Sequence, residues 1–207
     1  DEELVHMVFE FPKGFTIHAD ENHFSAPNAN RMIITRDEPN SRLETDPAFE
    51  AAAELLAEQS DVALVSGFHI LRPVFSDGST FNERLDRVLR TISRWRQANK
   101  SLRIHLECGT FTSTRIATST MNRLVTYVDA VGLNEVEVAL LLSAYGYHEE
   151  SVQITQHHSP LKTYRGAAIL MSILHLRRLT VHTGDYILSL LPTDCVKHSK
   201  AVLEASV

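Results

Sequence analysis

Apolar segments of strand length alternate with longer segments of helix length along most of this 207-residue chain. The clearest strand pattern lies in DVALVSGFHIL, from Asp61 to Leu71, where a continuous apolar strand is followed by Ser66-Gly67 and a loop. The clearest helical pattern runs from Phe81 to Asn99, where apolar residues recur at helical spacing. Such alternation is typical of β-α-β units built around a mostly parallel sheet. We therefore predict an α/β fold with a doubly wound, mostly parallel sheet and helices on both faces.

The remaining elements are predicted on the same grounds. Strands are expected at LVHMVFEF, FTIHA, RMIITR, LRIHLE, LVTYVDAVG and RLTVHT, with a further apolar run at YILSLL. Helices are expected over Glu44 to Glu58, Thr112 to Asn122, Asn134 to Tyr145 and Ala167 to Leu176, and from Asp194 onward. The charged stretch from Asp20 to Asn30 is predicted as a loop, the best place for an excursion into another subdomain. We expect a strand-rich segment over residues 1–36 and the main α/β body over residues 37–207.

Composition narrows the classes of function. An apolar content of 43% is enough for a substantial core. A net charge of -6 and a pI near 6.0 argue against non-specific nucleic-acid binding, which depends on clustered Lys and Arg. Phosphorylated small molecules need only one or two well-placed cations. The two cysteines, Cys108 and Cys195, indicate neither a disulfide framework nor a zinc motif, and a reduced compartment is the default interpretation.

The sequence also bears on location. No apolar run approaches the roughly 20 residues that span a membrane, and no signal-peptide pattern is recognisable. A soluble protein, cytoplasmic by default, is the expectation. Asp1 rather than Met opens the chain, and strand-like sequence follows at once. This indicates a processed chain, an excised piece or a partial gene model.

Polar signatures follow three predicted strands, at the edge where open α/β sheets bind ligands. They are Ser66-Gly67-Phe68-His69, His105-Leu106-Glu107 and Gly132-Leu133-Asn134-Glu135-Val136-Glu137. The strand period of two puts His105 and Glu107 on one face. Two ionisable groups there are costly unless paired or bound. The alternative, which pattern alone favours, is a satisfied core histidine followed by an exposed strand end.

Asn134 and Glu137 have the spacing of a capping box at a helix start. Spacing alone favours that role over ligand binding. The two roles are compatible, however, because a helix N-terminus suits a phosphate and an adjacent carboxylate can hold hydrated Mg²⁺.

Arg31, in the segment APNANR, is a third candidate. Its guanidinium can donate a bidentate fork to a phosphate, although spacing alone favours a surface arginine that opens a strand. The segment HTGDY is predicted as a turn, and Asp185 within it is not supported as a base because Gly-Asp turns are common. Six further histidines lack zincin spacing and are interpreted as scattered: 148, 157, 158, 175, 182 and 198.

Taken in order, several segments resemble the ADP-dependent sugar kinases, the glucokinase and phosphofructokinase family with a ribokinase-like fold. They are HMVFEFPKGF, APNANRMIITRDE, DVALVSGFHIL, RIHLECG, AVGLNEVEVALL and, more loosely, RLTVHTGDYIL. The resemblance runs along most of the chain and corresponds to the central portion of a longer protein, so the fold here is expected to be incomplete. The segment APNANR is similar to animal members and FEFPKGF equally to archaeal ones, so no branch is assigned. If the chain is of the animal type, the lumen of the endoplasmic reticulum is an alternative location.

The resemblance implies a set of site residues. The H-x-E motif of the family falls on His105 and Glu107, and its N-x-x-E motif on Asn134 and Glu137. Glu107 and Glu137 are implied metal ligands with His105 in support, and Asn134 belongs to the same network around Mg²⁺ and the nucleotide phosphates. Further nucleotide contacts are implied for the phosphate-binding Arg31 and, near the adenosine pocket, for His182 and Thr183.

The chain departs from the family pattern at the catalytic base. The family uses an aspartate in a G-x-G-D motif, which these 207 residues lack. His182 stands where the first glycine would be in His182-Thr183-Gly184-Asp185, which matches a different family segment. Most of the sugar-binding lid also has no counterpart. No catalytic residue is therefore assigned, and the chain alone is predicted to be inactive.

The activity implied by the resemblance is transfer of phosphate from ADP to glucose or fructose 6-phosphate with Mg²⁺. The products would be AMP and a sugar phosphate, as in glycolysis. The implied partners are ADP, AMP and a hexose, without nucleic acid or a membrane span. Two alternatives remain open at this point: a non-catalytic nucleotide-binding module of the same fold, and a ribokinase-like kinase that uses ATP.

Overall fold

The structure is a computed structural model that describes residues 5–27, 29–156 and 159–192. The chain divides into two compact units, Asp1–Ser41 and Arg42–Val207. The boundary expected after residue 36 remains a prediction. The helix predicted from Asp194 onward lies outside the described residues.

The first unit consists of two antiparallel strand pairs and a short helix. Strand β1, Val5–Phe11, pairs with β4, Asn30–Arg36. Strand β2, Thr16–Ala19, pairs with β3, Asn22–Ser25, across a two-residue turn. Helix α1 spans Glu38–Ser41.

The loop predicted from Asp20 to Asn30 is wrong, because this stretch contains the whole of β3. Asp20 has a positive φ of 54°, which turns the chain back on itself within two residues. The four residues that follow therefore pair with β2 instead of leaving the sheet.

The second unit is built on a five-stranded sheet in the order β5-β6-β7-β8-β9. The strands are β5 Val62–Val65, β6 Arg103–Glu107, β7 Ala130–Leu133, β8 Leu179–His182 and β9 Ile187–Leu190. The first four run parallel, and β9 is antiparallel to β8. The predicted α/β class with a mostly parallel sheet is confirmed.

The first helix of this unit leads into β5, and the helices after it connect the parallel strands, as parallel pairing requires. They are α2 Pro47–Gln59, α3 Phe81–Ala98, α4 Thr114–Leu124, α5 Glu135–Ala144, α6 His148–Gln156 and α7 Pro160–Ile173. Their starts follow the capping rules. Asp46 caps α2, Ser113 caps α4, and Thr80 forms a reciprocal capping box with Glu83 at α3. Among the described residues, no helix combines the length and apolar character needed to cross a bilayer.

Two sequence-based boundaries are wrong, and one between them is confirmed. The segment LVTYVDAVG is not one strand, because fully buried Leu124 completes the apolar face of α4 and strand β7 begins only at Ala130. The strand expected to end before Ser66-Gly67 in DVALVSGFHIL does so at Val65, and a 3-10 turn follows at Phe68–Ile70. Helix α7 begins at Pro160, seven residues before the predicted start at Ala167, since proline suits the first helical turn.

One face of the sheet forms the core. Alternate residues of the central strands point into it and are fully buried or nearly so: Ile104, Leu106, Val131, Leu133, Leu179 and Val181. The intervening residues point to the opposite face. Those residues are His105, Glu107, Gly132, Thr180 and His182. The polar residues of the sheet therefore share the face opposite this core.

Asp129 joins three elements of the second unit at the start of β7. Its Oδ2 accepts a 2.7 Å bond from Arg96 of α3 and a 2.9 Å bond from the Ile104 amide of β6. Burial alone would raise the pKa of Asp129, but the Ile104 amide and the Arg96 guanidinium outweigh it and lower that pKa.

This lowered pKa predicts an acid-sensitive contribution to stability. The contribution of Asp129 is fully present above its unfolded pKa, about 3.9, and is lost as pH falls through the lower folded pKa. When the free energy of unfolding is measured in urea at a series of pH values below 5, it should therefore decrease less steeply with falling pH for Asp129→Asn than for the wild type. Identical acid slopes for the two proteins would contradict this role.

Candidate nucleotide and metal site

Three neighbouring parallel strands of the second unit end at one edge of the sheet. Strand β6 ends at Glu107, β7 at Leu133 and β8 at His182. Glu107 lies beside Gly132 in β7, which in turn lies beside Thr180 in β8. This is the edge at which open α/β sheets bind ligands.

Glu107 is the centre of a polar cluster at this edge. Its Oε2 lies 3.1 Å from Nε2 of His105, and its Oε1 lies 3.3 Å from Nε2 of His182. The three side chains are partly exposed, at 34%, 27% and 45% for Glu107, His105 and His182. His105 is therefore not an enclosed core histidine, and the carboxylate that it contacts is open to solvent and ligands.

Gly132 provides the space for this cluster. A Cβ at this position would lie 2.8 Å from Nε2 of His105 and would overlap Oε2 of Glu107. A side chain at position 132 would therefore have to displace the ends of the Glu107 and His105 side chains, because the carboxylate of Glu107 lies directly over the glycine. Sequence reasoning did not single out Gly132, since glycine inside a strand is a weak signal that marks either a bulge or a close approach.

Asn134 and Glu137 form the predicted capping box at α5. Oδ1 of Asn134 accepts from the Glu137 amide at 2.9 Å, and Oε2 of Glu137 accepts from the Asn134 amide at 2.9 Å. The first helical amides, those of Glu135 and Val136, have no intrahelical acceptor by the geometry of a helix start. The N-terminus of α5 therefore presents backbone donors beside the carboxylates.

Glu137 is a buried carboxylate, with only 6% of the residue exposed. Burial raises its pKa; the hydrogen bond from the Asn134 amide opposes this, and repulsion from Glu107 adds to the rise. The repulsion indicates that the two carboxylates are electrostatically coupled. A cation beside both would relieve it and favour the ionised form of Glu137.

The donor set fits hydrated Mg²⁺. Within the described ranges there is no group of three or more His, Cys, Asp or Glu side chains arranged for a metal ion. Mg²⁺, however, keeps several waters and usually takes only one or two carboxylates from a protein. Glu107 and Glu137 are such a pair, and only Oε2 of Glu137 is engaged in the helix cap.

Thr183 lies just beyond β8 and shapes a turn. Its hydroxyl donates to the carbonyl of Tyr186 at 2.9 Å and accepts from the amides of Asp185 and Tyr186 at 3.2 and 3.0 Å. The predicted turn at HTGDY is therefore present. The hydroxyl of Thr183 serves the turn, whereas the neighbouring His182 faces Glu107.

Arg31 lies in the first unit, whereas the other predicted site residues lie in the second. It is an exposed residue of β4 opposite Glu10 of β1, and its amide donates to Oδ1 of Asn30 at 2.8 Å. With Phe11 and Pro12 it lines a shallow, open concavity of the first unit. The structure thus brings together His105, Glu107, Asn134, Glu137 and His182, and describes Arg31 within its own unit.

A supporting layer lies behind Glu107. The ring of His69 packs against Gly109, where a Cβ would lie 2.7 Å from Cε1 of His69. Burial lowers the pKa of His69, whose Nδ1 has no hydrogen-bond partner among the described residues. Burial also raises the pKa of the Cys108 thiol, and the negative charges of Glu137 and Glu107 raise it further, so Cys108 stays protonated. The ring of His69 thus packs closely on the backbone that follows β6.

Substitution of Gly132 should disturb the site more than the fold. In Gly132→Ala the new methyl group displaces the end of the flexible Glu107 side chain from His105. Hydrogen bonds to charged groups contribute about 1.5–3 kcal/mol, so Mg²⁺-dependent ADP affinity should fall about tenfold or more, as measured by titration calorimetry. The matched control is Gly184→Ala, because a Cβ at Gly184 meets open space. Equal affinity in both variants would contradict this assignment.

The sheet order, crossover helices and polar strand ends define an α/β protein with an open, mostly parallel sheet and a polar ligand-binding edge. A family model described as "ADP-specific Phosphofructokinase/Glucokinase conserved region" matches residues 1–207. The chain therefore belongs to the ADP-specific phosphofructokinase/glucokinase family.

Individual relatives agree with this membership. An ADP-specific phosphofructokinase of Pyrococcus furiosus is 30% identical over 191 residues, which cover 92% of this chain and 42% of the relative. An ADP-dependent glucose/glucosamine kinase of Pyrococcus abyssi is 29% identical and covers 92% of the chain, with 40% of its own length matched. This chain thus spans less than half the length of the curated relatives that it matches.

A solved structure has the same fold. It is an ADP-dependent kinase in complex with fructose 6-phosphate and ADPβS, with a TM-score of 0.79 and 25% sequence identity. The match covers 94% of this chain and 42% of that one. The predicted resemblance to ADP-dependent sugar kinases, limited to a portion of their length, is confirmed.

Proposed function

We propose that this chain supplies the Mg²⁺- and ADP-binding part of an ADP-dependent sugar kinase. The observation that carries the proposal is the convergence of Glu107, Glu137 and the N-terminus of α5 at one edge of the sheet. Carboxylates suit Mg²⁺, and free helical amides suit a phosphate. Family membership points to ADP as the donor.

Each residue has a defined part in this proposal. Glu107 and Glu137 would hold Mg²⁺ through water, and His105 would orient the Glu107 carboxylate. The ion would neutralise charge on the transferred phosphoryl group, which is the main catalytic requirement in phosphoryl transfer. Asn134 would keep the N-terminus of α5 directed at the phosphates.

Two further nucleotide contacts are proposed from the family resemblance. Arg31 would donate its guanidinium to a phosphate, and its exposure within the first unit leaves the side chain accessible. His182 and the backbone at Thr183 would lie toward the adenosine. The hydroxyl of Thr183 is committed to its turn, so we assign any contact there to the main chain.

The acceptor would be glucose or fructose 6-phosphate, and the products AMP and glucose 6-phosphate or fructose bisphosphate, as in glycolysis. Relatives of this chain include both an ADP-specific phosphofructokinase and an ADP-dependent glucose/glucosamine kinase. Removal of the proton from the sugar hydroxyl needs a base. The family aspartate in G-x-G-D has no counterpart in these 207 residues. We therefore expect this chain to bind nucleotide without catalysing phosphate transfer to a sugar.

The proposal is tested by thermal unfolding of the chain with ADP or ATP, each with and without Mg²⁺. A ligand stabilises only the state that binds it. We expect ADP with Mg²⁺ to raise the unfolding temperature most, ATP with Mg²⁺ less, and either nucleotide without Mg²⁺ least. Equal shifts for the two nucleotides would contradict ADP specificity, and no shift with any of them would contradict nucleotide binding by this chain.

A further inference from the structure

The β2–β3 hairpin of the first unit carries two histidines directly opposite each other. His18 of β2 is in register with His23 of β3. Their ring centroids are 6.2 Å apart and the ring planes are tilted by 37°. Paired residues of antiparallel strands project to the same face, so both imidazoles lie side by side on one surface.

The turn places this pair at the closest cross-strand position. Ala19 pairs with Asn22 next to the two-residue turn. In such a hairpin the residues beside the turn exchange hydrogen bonds, and the following pair is not hydrogen-bonded. His18 and His23 form that following pair. Cα atoms are then about 4.5 Å apart, closer than in a bonded pair.

Burial does not account for these histidines. Both are exposed, and their face continues with the hydroxyl residues Thr16 and Ser25. The apolar residues Ile17 and Phe24 lie on the opposite face of the hairpin. The two rings therefore present their nitrogen atoms on a polar, accessible surface.

We propose that His18 and His23 together chelate a late first-row divalent cation such as Zn²⁺, Ni²⁺ or Cu²⁺. Neutral imidazole nitrogen is a preferred ligand for these ions, with bonds of about 2.0–2.1 Å to zinc. Rotation of the exposed side chains brings both rings onto one ion. Water completes the coordination, in keeping with the absence of three-residue ligand groups among the described residues.

This site differs in chemistry from the one at Glu107 and Glu137. Mg²⁺ prefers oxygen ligands and gives up its waters reluctantly, so two imidazoles do not select it. With two protein ligands instead of three or four, the His18–His23 site binds reversibly. The hairpin site is thus specific for transition metals and independent of the proposed kinase function.

Metal binding would link the two strands and stabilise their pairing. A two-stranded sheet is marginally stable in water, and an ion bound to both strands stabilises their paired state. At a free ion concentration 100 times the dissociation constant, the ratio of closed to open hairpin rises about 100-fold.

The test is calorimetric titration of the whole chain with Zn²⁺ at pH 7.5, for wild type, His18→Gln, His23→Gln and the control His148→Gln. His148 is an exposed histidine of α6 in the second unit. We expect either hairpin substitution to weaken one binding event at least tenfold and His148→Gln to leave it unchanged. Retention of that event by both hairpin variants would overturn the proposal.

A spatial readout separates this site from binding at other histidines. Substoichiometric Cu²⁺ should broaden the amide signals of residues 16–25 first, because a paramagnetic ion relaxes the nuclei nearest to it. In His18→Gln the same residues should keep their signals. Broadening that starts elsewhere in the chain, or that persists at residues 16–25 in the variant, would overturn the assignment.

Discussion

Glu137→Gln should raise the thermal stability of the ion-free protein while weakening its Mg²⁺-dependent binding of ADP. A glutamine can still accept the hydrogen bond from the Asn134 amide, so the capping box is kept. The substitution removes a charge from a side chain that is almost fully buried and repelled by Glu107. The folded state therefore becomes more stable, and the proposed metal site loses a ligand.

The pH dependence of this gain follows from the raised pKa of Glu137. A carboxyl group whose folded pKa lies above its unfolded value, about 4.3, destabilises the protein once it ionises. The stability advantage of Glu137→Gln should therefore be absent below that unfolded pKa. It should develop as pH rises and be complete above the folded pKa.

The binding loss should be about 10- to 100-fold, the size expected from removing a charged hydrogen-bonding group worth about 1.5–3 kcal/mol. Titration calorimetry with ADP and Mg²⁺ measures it. Glu135→Gln is the control, because it makes the same charge change in the same helical turn at a less buried position. If Glu137→Gln binds ADP as the wild type does, Glu137 is only a helix cap.

Among the substitutions proposed, Leu170→Ala should cause the largest decrease in the free energy of unfolding. Leu170 of α7 is fully buried, and its helix packs against α5, β8 and β9. Truncating a buried leucine typically costs about 2.7–5 kcal/mol, because a cavity is added to the lost transfer free energy. Urea unfolding at pH 7 should show a lower midpoint with an unchanged slope.

The same helix provides a control for this experiment. Leu161 is 57% exposed, so Leu161→Ala should change the unfolding free energy by no more than about 0.5 kcal/mol. Alanine is also the best helix former, which makes helix propensity a minor factor in both variants. Similar losses for the two substitutions would show that α7 does not pack as described.

The sequence predicted the fold where hydrophobic periodicity is strong. Strands β5 to β8 could be recognised in order as short, mostly apolar runs between polar segments, and helix α3 because its apolar residues follow a period of 3.6. Helix α6 was missed because its sequence HEESVQITQ is mostly polar and only Ile154 is buried. The start of β7 was misplaced because the apolar residues before it complete α4 and the following turn.

The polar cluster at the sheet edge contains residues that the sequence singled out, but its contacts were not predicted, and its binding role stays a prediction. Spacing and resemblance pointed to Glu107 and Glu137, and the capping box at Asn134 follows from local sequence alone. The contact between His182 and Glu107 joins residues that are 75 positions apart in the sequence, and no local sequence pattern predicts such a contact. The role of Gly132 likewise depends on where a neighbouring strand places its carboxylate.

The central claim, that Glu107 and Glu137 hold the nucleotide-bound metal ion, is tested most directly with Mn²⁺ and ADP. Mn²⁺ takes oxygen ligands as Mg²⁺ does and relaxes nearby nuclei. We predict the fastest amide relaxation at residues 107–109 and 132–137, and the slowest in the second unit near Asn99, which precedes the opposite end of β6. Relaxation fastest near Asn99, or unchanged by adding ADP, would contradict the claim.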